Sequence, residues 1–158
     1  MKSQETETVD AVAAAEVDLS VLQQTVGFHV HMFDVTQYQK FYERFGERAF
    51  TPAIISTMAV IRQNPGIRHG ALSDALMIQR PNMTSLLNEL EREGYVSRRP
   101  SQTDKRSVAI YLTDRGERAV ARMLESILTL DRAMTAGLTA PERKALLALL
   151  QKALGTSR

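Results

Sequence analysis

Apolar residues recur at helical spacing along most of this chain, and the pattern changes to strand-like alternation in a short stretch after Gly94. Leu22, Val26, Val30, Phe33, Phe41 and Phe45 are separated by threes, fours or their sums, which predicts one long amphipathic helix from Leu19 to near Gly46. Thr51-Pro52 reads as an N-cap followed by proline in the first turn, and the apolar run it opens continues through Ile61 to the turn Asn64-Pro65-Gly66. A third helix is predicted from about Arg68 to Met77, with Leu72, Ala75 and Leu76 inward. After Ile78-Gln79-Arg80, a fourth opens at Pro81, turns Met83, Leu86, Leu87 and Leu90 inward, and stops at Gly94.

The two segments Tyr95–Arg99 and Ser107–Leu112 are β-branched or aromatic and partly alternating, with the polar run Pro100 to Arg106 between them, so they predict a hairpin. Thr113 is placed to cap a fifth helix reaching about Ala136. Thr139-Ala140-Pro141-Glu142 is a capping box that announces a sixth, whose stripe is Leu146, Leu147, Leu150 and Leu154. The fold class that follows is mainly α with a small β-hairpin wing, a winged helix-turn-helix between N- and C-terminal helices. With 158 residues the chain suits one compact unit. It is divided into a flexible acidic tail (1–18), an N-terminal helix (19–50), a winged lobe (51–113) and C-terminal helices (114–154).

Two short helices joined by a tight turn, the second followed at once by a β-ribbon, form a shape whose second helix fits the major groove of DNA. In the helix opening at Pro81, the positions outside the inner stripe are Asn82, Thr84, Ser85 and Asn88, with Gln79 and Arg80 just before it. Asn and Gln side chains suit adenine and Arg suits guanine, so these six are the candidate base readers. The plainer alternative is that they are solvent-facing polar residues.

Charge strengthens the DNA reading. Residues 1–18 hold one lysine against five acids, a net −4, which leaves +6 for the rest of a chain whose formal charge is +2. Ser97 to Ser107 alone holds Arg98, Arg99, Lys105 and Arg106 against Asp104. At the hairpin tip Arg106 suits a narrow minor groove, Asp104 orients it, and Lys105 suits a phosphate. A local salt bridge in a turn is the competing account.

The absence of cysteine removes disulfides, thiol nucleophiles and thiol sensing. His29 and His31, two apart on a helix, point in roughly opposite directions, which disfavours a metal centre. No glycine-rich phosphate loop or Ser/His/Asp set occurs. The expectation is therefore a protein that is not an enzyme and carries no cofactor, with His69 an exposed helix-start residue or a phosphate contact. The N-terminus lacks a basic start and apolar middle, and no apolar run is long enough to span a bilayer. A cytoplasmic location without a membrane partner is expected.

Ala71-Leu72-x-x-Ala75-Leu76, Met83-Thr84-x-Leu86-Leu87-x-x-Leu90-Glu91-x-x-Gly94-Tyr95-Val96, Arg99-Pro100, Asp104-Lys105-Arg106 and Leu112-Thr113-x-x-Gly116 together resemble the signature of MarR-family transcriptional regulators. The resemblance runs in motif detail from Thr51 to Gly116 and in helix order over nearly the whole chain. It implies a homodimer in which the first, fifth and sixth helices interlock, so that 19–50 and 114–154 become dimerisation segments. It also implies a repressor that grips a pseudo-palindrome of double-stranded DNA and releases it when a small molecule occupies a cleft beside the dimerisation helices. Asn82, Thr84 and Ser85 fall where recognition-helix contacts lie, and Arg106 falls at the wing arginine. Arg80 before Pro81 departs from the pattern, since Ser, Asp or Thr is the commoner cap.

Independently of the resemblance, the apolar first helix and the two terminal helices hold more stripe than a small lobe can bury. Self-association covers the surplus, and an intramolecular bundle is the alternative. For an effector, Phe28, His29, Met32, Phe33 and Tyr38 with Met58 and Ile61 are candidate walls, and Arg44, Arg48 or Arg62 suits an anion. The same stripe also reads as plain core. Phe41-Tyr42-Glu43-Arg44-Phe45-Gly46, with Thr51-Pro52 and Asn64-Pro65-Gly66, resembles regulators of aromatic-acid catabolism, including those answering hydroxycinnamoyl-CoA thioesters. That implies a small aromatic acid or aromatic acyl-CoA as effector. The remaining alternative is a winged-helix module that docks a protein partner and binds no specific DNA.

Overall fold

The computed structural model describes residues 17–45, 50–100 and 108–156, the side chains of residues 44 and 45 excepted. Its residues fall into two units, 1–36 and 37–158. In the first, a single 3-10 turn (Leu22–Gln24) precedes helix α1 (Val26–Phe45), whose last turns belong to the second unit. The helix thus starts later than the apolar spacing predicts. Thr25 is extended, with φ −107° and ψ 133°, and breaks the stripe that runs through Leu22.

The second unit continues with α2 (Pro52–Gln63), β1 (Ile67–Arg68), α3 (His69–Leu76), α4 (Arg80–Arg92), β2 (Val96–Pro100), β3 (Val108–Leu112), α5 (Asp114–Met134) and α6 (Ala140–Ala153). Each predicted cap forms. Thr51 accepts from the Ile54 amide and Thr113 from the Gly116 amide. At α6 the capping box closes in both directions between Thr139 and Glu142. The Thr139 hydroxyl, and then its backbone amide, hold the Glu142 carboxyl below the usual carboxylate range.

β2 and β3 pair antiparallel from Val96↔Leu112 to Pro100↔Val108. The sheet has a third strand that periodicity does not reveal: β1 pairs with β3 through Ile67↔Ile110 and Arg68↔Ala109. A two-residue strand carries no alternation to read. Gly66 leads into it at φ 85°, where a Cβ would press on the Tyr111 ring. The core beneath the sheet joins Met58 and Ile61 of α2, Leu72 of α3, Met83, Leu87 and Leu90 of α4, Val96 and Ile110 of the strands, and Val120 of α5. Ala75, expected inward on α3, is exposed. Among the described residues no helix is long and apolar enough to cross a membrane, and no cluster of His, Cys, Asp and Glu is arranged to hold a metal.

The junction of wing and α5 explains the run Leu112-Thr113-x-x-Gly116. The Thr113 amide donates to the Tyr95 carbonyl at 3.0 Å while its hydroxyl donates to the Gly94 carbonyl at 2.7 Å. This seats the first turn of α5 so closely on β2 that a Cβ on Gly116 would be driven into the Tyr95 carbonyl oxygen. The atom that obstructs it is backbone, which cannot swing aside as the Leu112 side chain nearby could. Gly116→Ala is accordingly expected to lose on the order of 3 kcal/mol in urea denaturation, and a loss below about 1 kcal/mol would show that the junction can open at little cost.

Candidate nucleic-acid interface

Packing orients α4 before any chemistry with DNA is considered. Met83, Leu87 and Leu90 are enclosed in the core, and their spacing leaves Gln79, Arg80, Asn82, Thr84, Ser85 and Asn88 exposed together. All six candidate readers are therefore exposed, spread around the helix outside its buried stripe rather than aligned on one line, since Asn82 stands two positions from both Arg80 and Thr84. The helix starts one residue earlier than the pattern predicts: Gln79 is its N-cap, makes no side-chain cap bond, and Pro81 lies in the first turn. Proline has no amide to leave unsatisfied, which lessens the penalty of a weak cap.

The exposed side chains are already partly committed. Thr84 Oγ1 donates to the Arg80 carbonyl at 2.9 Å, and Ser85 Oγ donates to the Pro81 carbonyl at 3.2 Å. Arg98 of β2 reaches across to α4, where Nη1 donates to Glu91 Oε2 at 2.7 Å and Nη2 to Asn88 Oδ1 at 2.8 Å. Two candidate DNA contacts, Asn88 and Arg98, are thus joined to each other. While that bond holds, Arg98 takes one of the two lone pairs of Asn88 Oδ1 and sets the orientation of the amide, leaving its donors and the second lone pair for a base. Arg99 lies over the Tyr111 ring at 5.1 Å from the centroid, and Arg115 over Tyr95 at 4.4 Å. Asp104, Lys105 and Arg106 lie in 101–107, outside the described residues.

Residues 50–108, which hold the helix-turn-helix and the ribbon up to β3, match the MarR family. A transcriptional regulatory protein assigned to the hcr operon of Thauera aromatica is 29% identical over 128 residues, covering 80% of this chain and 77% of its own. The transcriptional repressor CouR, solved bound to a 23-mer DNA duplex, superposes with a TM-score of 0.80 at 28% identity over 89% of this chain and 99% of its own. The chain carries a MarR-family domain. A variant of MarR from E. coli complexed with operator DNA is also similar, at 27% identity and a TM-score of 0.76 over 87% of this chain and 99% of its own. By its domain and its relatives this chain is a DNA-binding transcriptional regulator rather than an enzyme.

The effector candidates of this chain divide between the two units. In 17–36, Phe28 is half-buried and meets His29 edge to ring at 5.7 Å, while His29 Nε2 lies 2.8 Å from the Gln23 carbonyl oxygen. Met32 and Phe33 are exposed. In 37–158, the Tyr38 ring sits 6.3 Å from Tyr42, and Met58 is wholly enclosed among core side chains. Arg62 is paired with Glu117 of α5 at 3.1 Å, an exposed bridge worth less than about 1 kcal/mol. The Arg44 side chain is outside the described residues.

Two features escaped the sequence reading. His69 is half-buried, with Nε2 3.0 Å from Thr84 Oγ1, so it braces α3 against α4 rather than standing clear. The Arg98 tie joins residues seven and ten positions apart on different elements, which no periodicity signals. Because that tie carries two charge-assisted or amide bonds and Arg99 only a ring contact, Arg98→Ala is expected to lose about 1 to 2 kcal/mol and Arg99→Ala about 0.5 kcal/mol in urea denaturation. The reverse order would mean that the wing is not held to α4 through Arg98.

Proposed function

We propose that this chain is a sequence-specific repressor that binds a pseudo-palindromic operator as a homodimer and is released by a small aromatic acid or its CoA thioester. The observation that carries the DNA part is the shared exposure of Gln79, Arg80, Asn82, Thr84 and Ser85 on α4, next to a ribbon rich in arginine. In the CouR and E. coli MarR complexes the partner is a DNA duplex, which supports the same use here. Asn88, through its side-chain amide, and Arg98, through the tie that sets the wing, belong to this surface. Asp104 orients the wing arginine, Lys105 meets phosphate, and Arg106 enters the minor groove.

Self-association is supported by α6, which buries none of its residues in the single chain and leaves Leu147 56%, Leu149 64% and Leu154 64% exposed. Apolar surface of that kind calls for a cover. A two-fold dimer sets the recognition helices about 34 to 36 Å apart, one turn of DNA. Operator binding is measured with the duplex upstream of the chain's own gene. The expected result is two chains per duplex and an affinity that falls steeply with salt as phosphate counterions are released. Arg106→Ala weakens it by about 1 to 3 kcal/mol. A salt slope near zero would remove DNA as the partner, and an unchanged affinity in that variant would favour a protein-docking lobe.

The effector reading rests on Phe28, His29, Met32, Phe33 and Tyr38 as aromatic and polarisable walls. Arg44 and Arg62 supply charge for a carboxylate or a thioester's phosphates, and Met58 is a further polarisable candidate. Adding aromatic acids and their CoA thioesters to the operator complex is expected to release the DNA with at least one of them. No release by any of these compounds would remove the aromatic effector.

A further inference from the structure

Thr84 stands on the exposed side of α4, yet its hydroxyl proton is spent inside the protein. A hydroxyl carries one proton, and that of Thr84 goes to the Arg80 carbonyl at 2.9 Å. The contact at 3.0 Å to His69 Nε2 must then run the other way, with the imidazole N–H donating to Thr84 Oγ1. Two bonds from two different elements fix Oγ1, and with it the rotamer. No proton is left for the acceptors that guanine, adenine N7 or thymine O4 offer in the major groove. What the side chain still presents is one lone pair on Oγ1, open only to an amino group of adenine or cytosine, and its methyl group. Ser85, one position on, also sends its proton back to the helix, to the Pro81 carbonyl, but has no methyl to offer.

We infer that Thr84 reads its base pair through Cγ2, selecting the 5-methyl group of a thymine, and that His69 is the positioning residue that holds it in that rotamer. The inference rests on the DNA reading and changes how one of its residues works: from hydrogen-bond donor to apolar contact. His69, on the preceding helix, thereby acquires a part in specificity without touching a base. The preference arises because the methyl-bearing side chain gains apolar contact only against the 5-methyl of thymine, while its spent proton gains nothing from the acceptors of guanine, adenine N7 or thymine O4.

The test uses the full chain and the tightest duplex that it selects from a random pool, with each thymine replaced singly by deoxyuridine. For the wild type, removal of one methyl should weaken binding about fourfold at the position that Thr84 meets, the value of one methyl taken from water. Thr84→Ser keeps the hydroxyl and its bonds, and should bind the thymine and uracil duplexes alike at that position. His69→Ala should shrink the thymine-to-uracil ratio, whereas His69→Gln, which retains an N–H donor, should restore it. A merely structural role for His69 would lower affinity for both duplexes and leave the ratio unchanged, which overturns its positioning role. A wild-type ratio near one at every thymine, or a full ratio in Thr84→Ser, overturns the methyl contact. Enrichment of no duplex at all would instead overturn the DNA reading beneath it.

Discussion

The face that α4 turns outward is decided by what it buries. Met83, Leu87 and Leu90 are each at most 1% exposed, and a helix advances about 100° per residue, so a slip of a single position would bring polar side chains into the core. Full burial of such side chains is worth about 1.5 to 3 kcal/mol each, an upper estimate because the unfolded chain already hides some of that surface. Against this stands the turn that delivers the helix. Met77 adopts a left-handed conformation at φ 52° and is 74% exposed, in a place where glycine would sit without strain. That costs about 1 to 2 kcal/mol, less than the stripe gains, so the core dictates the turn rather than the reverse.

Polar ties carry this orientation outward to the rest of the surface. Arg98 fixes β2 to α4 through Glu91 and Asn88, His69 fixes α3 to α4 through Thr84, and Thr113 fixes the start of α5 to the carbonyls of Gly94 and Tyr95. Each joins two elements, and together they make helix-turn-helix, wing and α5 one arrangement. The same bonds narrow what the surface can recognise, since a proton or lone pair engaged inside the protein is withheld from a base. Recognition chemistry here is what remains after the fold has taken its share.

The helices were legible in the sequence where local rules operate. Thr51-Pro52, Thr113 and Thr139 with Glu142 announce their caps, because a cap bond closes within three residues. The inner stripe of α4 follows from its period, and the six exposed candidates follow from the stripe. Three features lay beyond such rules. The strand Ile67–Arg68 is too short to alternate, Thr25 breaks a stripe whose spacing looks continuous, and Ala75 faces solvent although its motif position suggested otherwise. The partners of Asn88, Arg98 and Thr84 are set by three-dimensional neighbourhood, which spacing along a chain does not encode. The alternation on either side of Pro100 to Arg106 announced the hairpin, and family resemblance added the homodimer where patterning left it open against an intramolecular bundle.

Because the chain holds no cysteine, a single thiol can be placed wherever the account makes a claim. Ser85→Cys puts one on the outward face of α4, and Ser56→Cys puts one on an exposed position of α2. Maleimide labelling of each variant with and without the selected duplex tests directly whether the face fixed by the buried stripe is the one that meets DNA. Strong protection at position 85 with unchanged labelling at 56 is the predicted result. Equal labelling at 85 in the presence of saturating duplex would contradict it.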